Sequence, residues 1–258
     1  MNIGLLLTYQ EGDVLEEMLR VNAASVDAIF ALDGSSDGSE RILAACPKVE
    51  AVLRDEEVAP DGRVRDHHRQ ALLDRARQRY GADHWYTLMH GDEIFHDDAN
   101  AVVEAAERAG AHRVNWAAMQ FFLHEDDTLD PTLPVQERVR WYSPFWVELR
   151  QFRDRPGAAY RSGEHGRVVP RGIGWRPYGR MPILKHYPFR SEAQARARIE
   201  AAQARGFSGT EVEGSVRRRR YSARYRLARH FEGDFGELES TRQGGLLRMM
   251  WRWKRWTR

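Results

Sequence analysis

The chain has 258 residues, 42% of them apolar and 30% charged, enough for one sizeable core or for one domain with a tail. It has no apolar run near the roughly 20 residues a membrane span needs, and it opens directly on strand-like residues, so neither a span nor a cleavable signal is expected. Cys46 is the only cysteine, which excludes an internal disulfide and any cysteine-rich zinc site and makes the cytoplasm the default compartment.

The first strand is predicted over residues 2–9, ending in Thr8-Tyr9, with a helical stretch over 13–24. A second apolar run, 28–33, stops at Asp33-Gly34-Ser35-Ser36-Asp37-Gly38-Ser39, where Ser36 or Asp37 suits the cap of a helix beginning near Ser39. Strand 49–54, helix 64–80 and strand 84–90 follow, and the last of these stops at His90-Gly91-Asp92-Glu93. Asp97 or Asp98 stands where an N-cap belongs before a helix over 97–109 that Gly110 ends, and a strand runs over 111–123. Strands alternating with helices of this length predict an α/β fold with a mostly parallel sheet flanked by helices.

From 124 to 182 the pattern breaks into Pro, Gly, Arg and aromatic clusters, with one strand near 145–153. A short strand at 183–187 and a helix capped by Ser191 and running to about 205 come next. The expected organisation is a main domain over 1–213, made of two halves (1–123 and 124–213), and a helical tail over 214–258. That tail holds thirteen Arg or Lys against four Asp or Glu, a net of +9 in a chain of net +2. On a helix, Leu246 to Arg258 would place Trp and Leu beside Arg, as an interfacial anchor on anionic lipid does; docking on the body of the protein or on a partner subunit is an equal alternative, and nucleic acid ranks last.

The chemistry gathers at strand ends. Right-handed crossovers would put Thr8-Tyr9-Gln10-Glu11, Asp33-Gly34-Ser35 and His90-Gly91-Asp92-Glu93 on one edge of the sheet, where α/β folds hold ligands. Asp92 and Glu93 are adjacent, so one can face a ligand while the other braces the loop. A hard cation such as Mg²⁺ or Mn²⁺ prefers a carboxylate with phosphate oxygens and water. Arg65 and Arg69, at i and i+4 of the expected helix, suit base, ribose or diphosphate, with a solvated helix face as the plain alternative. His124-Glu125-Asp126-Asp127 emerges after the apolar Phe121-Phe122-Leu123, and Glu164 and His165 are weaker acid or base candidates. Of the aromatics Trp141, Tyr142, Phe145, Trp146, Trp175, Tyr178 and Tyr187, most are expected to pack in a core.

In this order and spacing the motifs resemble the family 2-like GT-A glycosyltransferases over roughly residues 1–200. Thr8-Tyr9-Gln10-Glu11 with Leu15 to Leu19 is similar to that family's opening strand, loop and first helix. Leu32-Asp33-Gly34-Ser35-Ser36-Asp37 is similar to the motif whose leading Asp contacts the base, and Trp85 to Phe95 to the strand ending in DxD. Lys185-His186-Tyr187-Pro188-Phe189-Arg190-Ser191 resembles a later His-Tyr-Arg-Ser segment. The departure is His90 in place of the first acid of DxD. The resemblance implies a nucleoside-diphosphate sugar as donor, bound by Thr8, Tyr9, Glu11, Asp33, Ser35 and Gly91, with Arg65 and Arg69 added on their spacing. It implies a divalent cation (Mn²⁺ or Mg²⁺) at Asp92 with His90 and His186. It also implies an inverting transfer to a glycan, lipid-linked or protein acceptor, with the base drawn from Glu125, Asp126 and Asp127. Two other classes stay open on the residues alone. One is a metal-dependent hydrolase using His90, Asp92, Glu93 and His96; the other is a non-catalytic nucleotide-binding module.

Overall fold

The computed structural model describes residues 1–59, 64–124, 127–128, 130–161, 168–204 and 229–235. They form an α/β fold with a mixed sheet, divided into two compact units. The first unit comprises Met1–Ala117 and Val147–Leu184; the second comprises Ala118–Trp146 and the described residues from Lys185 on. The chain therefore enters each unit twice.

In the first unit, β1 (Asn2–Thr8), β2 (Ala28–Asp33), β3 (Val49–Arg54) and β4 (Trp85–His90) are joined by α1 (Gly12–Asn22), α2 (Ser39–Ala45), the four-residue α3 (Asp55–Val58) and α4 (Arg69–Tyr80). β1 pairs with β2 and β4, and β2 with β3, all parallel. Every residue of β1 and β2 is buried, as expected of strands covered on both faces. One face carries Ile3, Leu5, Leu7, Phe30, Leu32, Tyr86 and Leu88, packed with Leu72, Leu73 and Ala76 of α4. α5 (Ala99–Arg108) is capped by Asp98, whose carboxylate accepts from Ala101 N–H at 2.9 Å, and the chain leaves it through Gly110 at φ +63°.

The sheet continues through β5 (Glu93–Phe95), β6 (Arg113–Phe122), β7 (Trp141–Arg153) and β8 (Ile183–His186), in the order β3-β2-β1-β4-β7-β6-β8-β5. Here the expected, mostly parallel sheet is corrected: β7 runs antiparallel to β4, with Trp85 opposite Arg153 and Thr87 opposite Gln151. A parallel neighbour requires a crossover of a dozen or more residues, usually helical. Among the described residues between β6 and β7 the only helix is the four-residue α6 (Val135–Arg138), so β7 turns back along the sheet, and Arg153 N–H reaches His112 C=O just before β6. The helix expected from residue 64 begins at Arg69, after a 3₁₀ turn over Asp66–His68, because Arg65-Asp66-His67-His68 offers no apolar residue to the core.

The second unit is built on stacked aromatics. Phe121 lies 4.6 Å from Tyr187 and 5.4 Å from Tyr142 between ring centres, and Phe231 and Phe235 close on them edge-on. Ser191 caps α7 (Glu192–Ala204) as its sequence suggested, its hydroxyl accepting from Gln194 N–H at 3.1 Å. Arg229–His230 form β9, antiparallel to β7 at Tyr142 and Trp141. A wholly helical tail is thereby corrected: these residues add an edge to a strand whose apolar neighbours Phe231 and Phe235 are buried. The rest of 214–258 lies outside the described residues. No helix among the described residues is long and apolar enough to cross a membrane.

Candidate functional site

The parallel register sets the ends of three strands side by side. Thr8 pairs with Asp33, and Leu7 pairs with His90, so Thr8, Asp33 and His90 finish at one edge of the sheet. β3 ends there too, with Arg54 beside Asp33. All of these residues belong to the first unit.

The loops beyond the strand ends are fastened to one another by side chains. Thr8 Oγ1 donates to Glu11 Oε2 at 3.1 Å, and both residues are buried. Gly91, whose N–H reaches Leu7 C=O, packs directly on this pair: a Cβ at Gly91 would stand 2.2 Å from Glu11 Oε2 and 2.6 Å from Thr8 Oγ1. The β1 loop is also tied to the β2 loop. Gln10, in the left-handed region at φ 54°, donates its N–H to Ser35 Oγ at 2.8 Å, and Gly12 N–H donates to Asp37 at 2.8 Å. Asp37 also accepts from Ser39 N–H and hydroxyl at the start of α2. These hydrogen bonds outweigh its burial and hold its pKa below the ordinary value. Tyr9 is half-buried at the same turn.

Asp33 is fully buried, with one oxygen accepting from Ser35 N–H at 3.0 Å and the other from Arg54 Nη1 at 3.1 Å. Arg54 also donates to Ser35 C=O and keeps about a third of its side chain exposed. Asp33 therefore shapes the loop, and Arg54 links it to the more exposed acids of this corner, 4.0 Å from Glu40 and 3.9 Å from Glu56. Gly34 fits because Asp55 stands where its Cβ would be, 2.0 Å away.

At the end of β4, the fully buried Arg69 reaches Asp66, Met89 C=O at 3.3 Å and His90 Nε2 at 2.8 Å. A guanidinium only donates, so His90 Nε2 is the acceptor, and its lone pair is used on Arg69. In the neutral ring Nδ1 then carries the proton, so while this bond stands neither nitrogen offers a lone pair to a cation, against the expectation that His90 joins the metal site. Arg65 precedes the 3₁₀ turn in extended backbone, so it shares no helical face with Arg69; His67 and His68 within the turn are half-buried with their rings 4.2 Å apart.

Asp92 and Glu93 are both buried, with ligand oxygens within 4.8 Å of one another. Glu93 braces the loop: its Oε1 accepts from Arg150 Nη2 at 2.6 Å, and Arg150 also lies 3.1 Å from Glu148. Burial pushes the Glu93 carboxyl up to about 8; Arg150 opposes this, and Asp92 and Glu148 add to it. Glu93 Oε2 and two nitrogens of Arg150, Nε and Nη1, are buried without hydrogen-bond partners among the described residues. A buried carboxylate oxygen with no donor, beside a second carboxylate, fits a hard divalent cation. Arg150 escaped the sequence reading. Its signal was Glu148 and Arg150 two apart, hence on one face of the strand, an acid and a base placed to pair.

Of the remaining candidates, His186 and Asp127 belong to the second unit. His186 ends β8, half-buried, its ring edge-on to Trp146 at 4.8 Å. Asp127 is bound at both oxygens, by His124 N–H at 2.8 Å and Arg140 N–H at 3.1 Å, and burial raises its pKa against those bonds. Glu125, Asp126, Glu164 and His165 lie outside the described residues. Arg190, in the segment after His186, is fully buried and donates to Tyr187 C=O at 2.8 Å, so it folds its own turn.

No protein family's sequence profile matches the chain, and no curated protein matches it. Among solved structures it is similar to one described as a glucose-1-phosphate thymidylyltransferase from Bacillus anthracis in complex with sucrose. The TM-score is 0.31 at 11% identity, over 85% of this chain and 84% of that one. A likeness at that score carries no argument about fold or activity.

Proposed function

We propose that the chain transfers a glycosyl group from a nucleoside-diphosphate sugar to a hydroxyl acceptor, with inversion and with a divalent cation at Asp92. The observation that carries this reading is the row of Thr8, Asp33 and His90-Gly91-Asp92 at the aligned ends of three parallel strands. That edge is where α/β sheets take nucleotides. Asp92 and Glu93 would hold the cation, with His186 as the further ligand the family resemblance implies. The cation would supply neutralisation of charge on the departing diphosphate. Thr8, Tyr9, Glu11, Ser35 and Gly91 would shape the donor pocket through the loops they tie together, and Arg65 and Arg69 would add positive charge beside the diphosphate. Asp33 would reach the base end of the donor only through the loop and the Arg54 it holds. A carboxylate of Glu125, Asp126 or Asp127 would take the proton of the acceptor hydroxyl as its oxygen attacks the anomeric carbon and the bond to the diphosphate breaks. The acceptor class is a glycan, lipid-linked glycan or protein hydroxyl.

The test incubates the protein with UDP, GDP, TDP and ADP sugars in Mn²⁺ and measures nucleoside diphosphate released. One donor is expected to turn over, and Asp92→Asn to abolish release while leaving the fold intact. A folded Asp92→Asn protein of full activity would remove the metal assignment. Turnover of a substrate lacking a nucleotide would favour the hydrolase, and nucleotide binding without release would favour a binding module.

A further inference from the structure

A second surface of the first unit lies at the opposite edge of the sheet. The amino end of β4 pairs with the carboxyl end of β7, and Arg153 N–H bonds to His112 C=O at the start of β6. Onto this edge the segment 168–182 is fastened by its backbone. His112 N–H donates to Arg176 C=O, Tyr178 N–H to Arg113 C=O, and Ala159 and Arg171 exchange both their N–H bonds. Two glycines let it lie close: Gly172, at φ +83°, rests on Gly157 C=O, and a Cβ at Gly174 would stand 2.3 Å from the His112 ring. The segment is thus held in shape: Val168, Val169 and Ile173 pack on the core, while Arg171, Trp175, Arg176 and Arg180 stay exposed.

What it displays is one indole among arginines. Trp175 is 76% exposed, the most exposed large apolar side chain among the described residues. Arg171, Arg176 and Arg180 of the same segment are exposed, and the segment contains no Asp or Glu. Arg155 is exposed as well, 3.5 Å from His112 Nε2. The neighbouring acids Asp83 and Glu107 are both engaged by Arg153. Positive charge is dense enough here that, after burial, Arg155, Arg176 and Arg153 hold the His112 pKa below its ordinary value.

We propose that this face docks on an anionic lipid surface, with Trp175 seated among the headgroups and Arg171, Arg176, Arg180 and Arg155 facing lipid phosphate and carboxylate. Tryptophan partitions to the water–bilayer interface because its ring is apolar and its N–H is not, and arginines near such a surface are drawn by its negative potential. Single-stranded nucleic acid is bound instead along rows of aromatic faces, and the other aromatic of this segment, Tyr178, is half-buried. The surface is independent of the nucleotide edge and does not rest on the proposed transfer.

The test uses the full chain with vesicles of phosphatidylcholine, with and without phosphatidylserine, comparing wild type, Trp175→Ala and Arg176→Ala/Arg180→Ala, each first shown to keep its thermal midpoint. Binding is expected only with phosphatidylserine, weaker in Trp175→Ala and roughly 25-fold weaker at low salt in the double variant, about fivefold per arginine. Quenching of fluorescence by brominated lipid should fall in Trp175→Phe. Wild-type affinity in all variants would overturn the proposal, assigning any binding to the basic residues 214–258. Absence of vesicle binding would overturn it equally, as would loss in these variants of binding to single-stranded DNA alone.

Discussion

Replacing Gly91 by alanine tests the packing at the centre of the candidate site. The new methyl carbon would fall 2.2 Å from Glu11 Oε2 and 2.6 Å from Thr8 Oγ1, so the hydrogen bond between those two atoms cannot survive as it stands. Glu11 is buried, so its carboxylate has little solvent to retreat into. Overpacking costs about 1–3 kcal/mol, and losing a hydrogen bond to a charged group about 1.5–3 kcal/mol. Because one movement relieves the clash and breaks the bond together, the two overlap, and a total of about 2–4 kcal/mol follows. Urea denaturation of wild type, Gly91→Ala, Glu11→Ala and the double variant measures it. In the Glu11→Ala background the alanine at 91 should cost at least about 1 kcal/mol less, a coupling typical of touching residues. Strictly additive costs, or a Gly91→Ala protein as stable as wild type, would refute the packing described here.

Other outcomes follow from the same edge. Glu93, with a folded value of about 8 against an ordinary 4.5, favours the folded state most when protonated. Its contribution is full below about pH 4.5 and lost as pH rises through about 8. In chelator-treated protein, wild type should lose stability across that window relative to Glu93→Gln, by at most about 5 kcal/mol; parallel pH profiles would contradict the burial argument. Asp33→Ala leaves the buried Ser35 N–H without its acceptor and should destabilise by about 1–3 kcal/mol in chemical denaturation. An unchanged midpoint would mean the loop does not depend on Asp33.

The strand ends were legible because apolar runs that stop at Gly, Asp and Ser clusters report where a buried strand leaves the sheet. Thr8, Asp33 and His90 could therefore be placed on one edge before any coordinates. Direction was less legible. Side-chain alternation in β7 is the same whichever way the strand runs, and its partner β4 lies some sixty residues earlier in the chain. β5 went unread because its three residues follow β4 after a two-residue gap, and Glu93 read as part of a loop. The charge network was hidden for a related reason. Arg150 and Glu93 are 57 residues apart, and nothing local in either says that it is buried against the other. Arg69 read as a helix-face residue, but the helix starts at it, and the same position that ends the 3₁₀ turn directs it to Met89 and His90.

The most direct test of the nucleotide edge is thermal unfolding of the full chain with UDP, GDP, TDP and ADP, each with and without Mn²⁺. A ligand selective for the folded state raises the midpoint by mass action, about 2.7 kcal/mol at a hundredfold excess over Kd. The account predicts a Mn²⁺-dependent rise with one of these nucleotides that Asp92→Asn removes. A folded protein whose midpoint moves with none of them would contradict it.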